Sequence, residues 1–193
     1  DQSGFINEIG FETYQKILNE AIEELKEEKF QDLFENEKEK FYVKDCQLET
    51  DLEVLIPDTY VSNIEERLNL YKELNQLNSE EEIVNFIKQL EDRFGKVPDE
   101  IFTLCDALRL RWLGKQIGFE RVILKDEKMR AYFTSKADSP YYNSSSFNLV
   151  LNYLKSNFEN CKMIEIKGKL SLRISNISTL KEVLVICNSI LER

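Results

Sequence analysis

Residues Pro98–Lys125 read PDEIFTLCDALRLRWLGKQIGFERVILK, and the apolar spacing changes part-way along. Up to Gly118, Ile101, Leu104, Cys105, Leu108, Trp112 and Leu113 recur at three- and four-residue steps, which predicts one helix with an inward stripe. Pro98 suits its first position, where a missing N–H leaves no gap, and Asp99 and Glu100 complement the dipole in the first turn. Beyond Gly118 the period drops to two. Phe119–Lys125 and Met129–Thr134 then form a predicted hairpin across Asp126-Glu127-Lys128.

Downstream, Ser135–Ser145 reads as a polar loop around Pro140, in which Tyr141-Tyr142 is either an exposed contact point or a lid folded onto the core. A helix over Ser146–Phe158 precedes a second hairpin, Met163–Lys167 with Leu170–Ile174, turning at Gly168-Lys169. The last helix, Thr179–Leu191, is expected to be capped by Ser178 and to face Leu180, Val183, Leu184, Cys187 and Leu191 inward.

Upstream, the alternation in Leu48–Ile56 predicts one strand with a wet face, ended by Pro57 and Asp58. Ser62 or Asn63 caps a helix whose inward side carries Ile64, Leu68, Tyr71 and Leu74. Ser79, with Glu82 three residues on, makes a predicted capping box for a second helix. That helix lines up Ile83, Phe86, Ile87, Leu90 and Phe94, and Gly95 stands where a left-handed terminal residue belongs. Earlier still, Glu8–Lys29 has helical spacing and Phe30–Lys40 reads as a junction. A helical first half followed by short antiparallel hairpins with packed helices is an α+β class.

The chain has 193 residues, 42% hydrophobic and 32% charged, with six glycines and three prolines, which is enough apolar surface for a core and too little loop chemistry for a loop-rich scaffold. With no histidine, Ser-His-Asp triads, Cys-His dyads and HExxH zinc sites are excluded. Neither phosphate-cradling glycine motif occurs. Cys46, Cys105, Cys161 and Cys187 are too scattered for a metal site or a disulfide framework and read as reduced, buried thiols. No signal peptide is legible, and no apolar run reaches the ~18–20 residues that span a bilayer, so a cytoplasmic protein without a membrane partner is expected. A start at Asp1 implies a piece of a longer protein. Net charge is −10 but unevenly divided: residues 1–106 hold 11 basic and 28 acidic side chains, residues 107–193 hold 15 and 8. Such asymmetry favours polar docking surfaces.

Four constellations could carry function. Asp45, Glu49, Asp51 and Glu53 offer oxygen ligands, but a row along a strand suits a solvated face better than a cation cage. Glu165-Ile166-Lys167 is half of a metal-dependent nuclease pattern that needs a further carboxylate, with Asp126 and Asp138 as candidates; a cross-strand ion-pair ladder explains it equally well. Arg109, Arg111 and Lys115 beside Trp112 could bind nucleic acid, although Trp112 fits the buried stripe. The strongest candidate is the end of the second predicted helix. There Leu90 and Phe94 face inward and leave Gln89, Asp92 and Arg93 on adjacent outer positions, suited to pairing with an opposing Arg or Asp. Local pairing of Arg93 with Glu91 or Asp92 is the plain alternative.

DQSGFINEIGFETYQKILNEAIEEL, DLEVLIPDTYVSNIEERLNLYKEL and EEEIVNFIKQLEDRFGKVPDEIFTLCDALRLRWLGKQIGFERV, in that order, resemble the bacterial transcription-repair coupling factors. The "IPD-x-Y", "R-L-x-x-Y" and "DRFG-x-x-P" signatures carry the likeness, which runs over Ser3–Val122 and loosens from Ile123 onward. Ser62-Asn63 departs from the usual second proline-aspartate, and Gln89 stands where relatives often have glutamate. The resemblance implies that residues 1–40 are the tail of the second helicase lobe with a connecting helix, and 41–193 a non-catalytic C-terminal regulatory domain. It implies docking in cis on the N-terminal module through Asp92, Arg93 and, with altered chemistry, Gln89. That contact would mask recruitment of the excision-repair damage-recognition subunit and restrain a parent motor that uses ATP and Mg²⁺ on double-stranded DNA to displace stalled RNA polymerase. No cofactor is expected in this piece.

Overall fold

The computed structural model describes residues 42–136 and 138–192, so the expectations for Glu8–Lys29, Phe30–Lys40 and the 1–40 segment lie outside the described residues. The described elements are β1 (Gln47–Thr50), α1 (Ile64–Gln76), α2 (Glu80–Phe94), α3 (Asp99–Ile117), β2 (Phe119–Lys125), β3 (Lys128–Phe133), a 3-10 turn (Pro140–Asn143), α4 (Ser145–Ser156), β4 (Cys161–Ile166), β5 (Lys169–Ser175) and α5 (Leu180–Leu191). The class is α+β. The strands form one sheet in the order β1-β2-β3-β5-β4, parallel between β1 and β2 and antiparallel elsewhere.

Two cores divide the apolar residues. One, between the sheet and helices α3, α4 and α5, contains Leu110, Ile117, Phe119, Val122, Met129, Leu172, Val183 and Ile190. The other, among α1, α2 and the first half of α3, contains Ile56, Val61, Leu70, Leu74, Ile83, Phe86, Leu90, Ile101 and Leu108. Helix α3 therefore buries two faces rather than the single stripe expected. Ala107, Leu110 and Ile117 serve the sheet core, and Trp112 is only half-buried against the helical core.

Several local expectations change for identifiable reasons. The predicted strand Leu48–Ile56 stops at Thr50, whose Oγ1 accepts a hydrogen bond from the Leu52 amide at 3.1 Å and turns the chain out of the sheet. On α1, Asn63 is the cap, but Ile64 and Leu68 are 65% and 55% exposed while Leu70 and Leu74 are buried. Arg67 ties the preceding loop to the first turn of α1 by donating from Nη1 to the carbonyls of Val61 at 2.6 Å and Ser62 at 3.1 Å. On α2, Ser79 caps the Glu82 amide, but the Glu82 carboxylate accepts from the Asn78 amide, so the reciprocal box is incomplete. Pro98 sits at the cap, one residue before α3 begins. At the last helix the cap is Thr179, with a full capping box to Glu182, and Ile186 and Ile190 rather than Leu184 and Leu191 are buried.

Both hairpins close on two residues, Asp126-Glu127 and Lys167-Gly168, all four with positive φ as the right-handed twist of the strands requires. The Ser135–Ser145 stretch is less open than a polar loop. Its 3-10 turn drives Tyr141 fully into the sheet core, where the hydroxyl donates to the Ile117 carbonyl at 2.8 Å. Gly118 makes room for it: a Cβ there would strike the Tyr141 ring, and its φ of +98° ends α3 in the left-handed region. Of the two readings left open for Tyr141, the structure selects the folded-back one. All four cysteines are free and buried, as expected from their spacing.

Candidate interaction surface

The C-terminal end of α2 is held from below by residues that surround it in space. Tyr60 donates its hydroxyl proton toward the carbonyls of Leu90 and Gly95, each at 3.0 Å, and so anchors the last turn and the residue beyond it. Its ring meets Phe94 edge-on at 5.7 Å. Gly95, at φ +84° and ψ −159°, closes the helix by donating to the Glu91 carbonyl, with the positive φ expected of a glycine there but a ψ outside the left-handed helical basin. Tyr60 itself is positioned by the turn at Pro57, whose carbonyl accepts from the amides of Tyr60 and Val61 at 3.1 and 3.0 Å. Ile56 is buried beside it, and its amide donates to the Tyr71 hydroxyl at 2.7 Å.

On this base Gln89, Asp92 and Arg93 all point to solvent, while Leu90 is buried and Phe94 half-buried. Arg93 does not pair with Glu91 or Asp92. Its guanidinium bridges to Glu66 on α1 and lies over the Phe94 ring at 4.9 Å. The two contacts narrow the orientations of the guanidinium, and Glu66 offsets part of its charge. Asp92 and Gln89 make no side-chain hydrogen bond or ion pair among the described residues. The surface thus combines a cation bridged to Glu66 and stacked on Phe94 with a carboxylate and an amide that have no partner among the described residues.

The other constellations do not assemble. Arg109 is taken up by Glu80, with Nε to Oε2 at 2.8 Å, and by Asp106 at 2.8 Å; the first pairing holds the Glu80 carboxyl below its usual range and both hold the guanidinium's proton more tightly. Arg111 pairs with Asp45 at 3.0 Å. The proposed basic face on α3 is therefore largely neutralised. Glu165 is the penultimate residue of β4 and Lys167 stands in the turn after it, whereas Asp126 lies in the hairpin at the opposite end of the sheet. No ion-pair ladder forms at Glu165, and no group of three potential metal ligands occurs among the described residues. The Asp45, Glu49, Asp51, Glu53 row is broken where β1 ends, and Glu49 bonds Arg121 at 3.2 Å instead. No described helix is long and apolar enough to cross a membrane.

Residues 50–144 match the family model of the TRCF domain. The transcription-repair-coupling factor of Rickettsia prowazekii is 32% identical over 138 residues, 72% of this chain and 12% of that protein. The corresponding protein of Escherichia coli is 31% identical over 125 residues, 63% of this chain and 10% of that one. The chain belongs to the transcription-repair coupling factor family. A crystal structure of the C-terminal domain of transcription-repair coupling factor superposes with a TM-score of 0.60 at 23% identity, covering 77% of this chain and 92% of that one. That likeness carries the fold. The chain spans about a tenth of the length of these relatives.

Within this family frame the signature residues have visible structural work. Tyr60 of "IPD-x-Y" pins the end of α2, Arg67 and Tyr71 of "R-L-x-x-Y" hold the loop before α1, and Arg93 and Gly95 of "DRFG" shape the surface itself. Sequence reasoning on α2 alone missed Tyr60 and Glu66. They lie about thirty positions upstream, and no local period links them to Arg93.

Proposed function

We propose that this chain is a non-catalytic regulatory module whose α2 end, through Gln89, Asp92 and Arg93, docks on another module of its parent protein. The observation that carries the reading is Arg93, bridged to Glu66, beside an Asp92 without a partner among the described residues, on a braced helix end. A rim of charges gives specificity at modest affinity, which suits a contact that must open. The family supports the N-terminal module of the same polypeptide as the partner. In that reading, docking masks recruitment of the excision-repair damage-recognition subunit and restrains an ATP- and Mg²⁺-dependent translocase that acts on double-stranded DNA and stalled RNA polymerase in the cytoplasm. Residues 1–40 would then be the tail of the second motor lobe and 41–193 the regulatory domain. Gln89 contributes a hydrogen bond where a carboxylate would contribute an ion pair, so that point of contact is weaker.

Binding of this chain to the separately expressed N-terminal module tests the proposal. Asp92→Lys with Arg93→Glu should weaken it at least ten-fold, the scale of losing charged hydrogen bonds at an interface. In the full-length protein the same pair should raise basal ATPase activity. Unchanged binding and unchanged ATPase activity would remove the idea.

A further inference from the structure

The helices packed on the sheet bury its Val122, Leu124, Met129, Ala131, Leu172 and Ile174 side, and the residues between these face the other way. Directly paired residues share a face, so the register can be read across it. Arg130 of β3 pairs with Arg173 of β5, which pairs with Lys162 of β4. Three cations thus stand side by side on three adjacent strands, at spacings of about 4.8 Å. One step toward the Asp126-Glu127 turn, Lys125 lies opposite Lys128. At the other end Lys169 begins β5 on the same face.

Like charges placed opposite each other in a sheet are destabilising, and here nothing offsets them. Among the paired positions on this face the one carboxylate is Glu49, which is taken up by Arg121 at 3.2 Å and Lys125 at 4.0 Å. Arg130, Arg173, Lys162, Lys128 and Lys169 have no ion pair among the described residues; Arg173 only donates to Ser171 Oγ at 3.4 Å. The next row holds Tyr132 beneath the Arg121 guanidinium, 4.7 Å from its centroid. It borders a cleft of about 870 Å³ whose lining includes Arg121, Tyr132, Lys136, Lys169 and the acids Asp45, Glu120 and Asp138.

We propose that this open sheet face, centred on Arg130, Arg173 and Lys162, binds the phosphodiester backbone of nucleic acid. Phosphates at regular intervals along a flexible chain can follow cations at regular intervals along strands. The flat Arg121–Tyr132 stack beside them offers a platform for a base, a combination that an acidic protein surface does not need. The chain's net charge of −10 opposes this attraction at long range, so the face acts at contact distances and in moderate salt. The surface lies on the sheet, apart from the α2 end, and stands or falls independently of docking there.

Fluorescence anisotropy of the whole 193-residue chain with a labelled oligonucleotide of about 20 nucleotides, single- and double-stranded, tests the proposal. Five unpaired cations predict a slope of log K against log salt of about −3.5 for the single strand. Affinity should then fall about a hundred-fold between roughly 50 and 200 mM KCl. Arg130→Gln with Arg173→Gln should take about 1.4 from the slope, and the milder Lys162→Gln on the edge strand about 0.7. The double variant should melt at or above the parent temperature, because it removes neighbours of like charge. Lys72→Gln with Lys88→Gln, both exposed on the helical half, should leave binding unchanged. No binding of either oligonucleotide at the lower salt would overturn the proposal. So would equal losses in the Lys72/Lys88 variant, or polyglutamate competing as well as the oligonucleotide charge for charge.

Discussion

The helical half of the described unit and its sheet half hold their irregular segments in different ways. Around α1 and α2, long polar side chains reach across to backbone: Tyr60 to Leu90 and Gly95, Arg67 to Val61 and Ser62, Tyr71 to Ile56. In the sheet half the Pro140–Asn143 segment adds a dense aromatic cluster to such bonds, with the Tyr142 hydroxyl donating to the Thr134 carbonyl at 2.6 Å. Tyr141 packs edge-on against Tyr42 at 5.5 Å and Phe147 at 5.3 Å, and reaches one carbonyl. A side chain that must reach a particular carbonyl tolerates few replacements, whereas a pleated face accepts any well-packed alternation. The three named signatures all lie in the helical half, whereas the family match itself continues through the sheet to residue 144.

Alkaline pH should disturb the sheet half most, and this is the largest effect expected. Burial pushes the thiols of Cys46 up to about 12 and Cys161 to about 11, and raises Cys187 as well; in the helical half only Cys105 is comparable, at about 11. An unfolded thiol near its ordinary value loses its proton first. Stability is therefore complete below about pH 9 and falls as pH rises toward 11–12, by about 1.4 kcal/mol for each ten-fold difference in acidity. Urea unfolding across that range measures it. Cys161→Ala should flatten the decline more than any exposed substitution, and a stability independent of pH there would contradict the burial.

Gly118→Ala comes next. The added methyl meets the Tyr141 ring, and the backbone stays at φ +98°, so a loss of about 3 kcal/mol or more is expected in urea unfolding. A loss below about 1 kcal/mol would mean that Tyr141 moves aside easily. Tyr141→Phe against Tyr60→Phe then compares the two halves directly. The first strands the buried Ile117 carbonyl and should cost about 1–3 kcal/mol, while the second frees carbonyls that water can reach and should cost about 1 kcal/mol. The reverse order would show that the polar anchors of the helical half carry more than its packing. The smallest effect belongs to Arg93→Ala or Glu66→Ala. Both side chains are well exposed, so stability should change by under about 1 kcal/mol. Docking should still weaken in both, because Arg93→Ala removes the guanidinium and Glu66→Ala frees it to reorient.

Much of the fold was legible because periodicity is local. The change of spacing at Gly118 marked the helix-to-hairpin boundary, and both hairpins and all five described helices lie within a few residues of expectation. Errors fell where packing or a side-chain hydrogen bond overrode the apolar period. On α1 Leu70 and Leu74 take the inward places expected for Ile64 and Leu68, and the strand from Leu48 is cut short by the Thr50 hydroxyl. At the candidate surface, the exposure of Gln89, Asp92 and Arg93 followed from the inward face of α2, but the grip of Glu66 and Tyr60 did not.

From the order of residue types alone came the α+β class, the exclusion of histidine chemistry, the buried thiols and the polar outer row on α2. Tertiary structure alone decided that Tyr141 is interior, that Arg109 and Arg111 are neutralised, and that cations from three strands meet on one open face. Helical and strand periods are written within a few neighbouring residues. The partner a charge finds depends on which segments the packed core brings together.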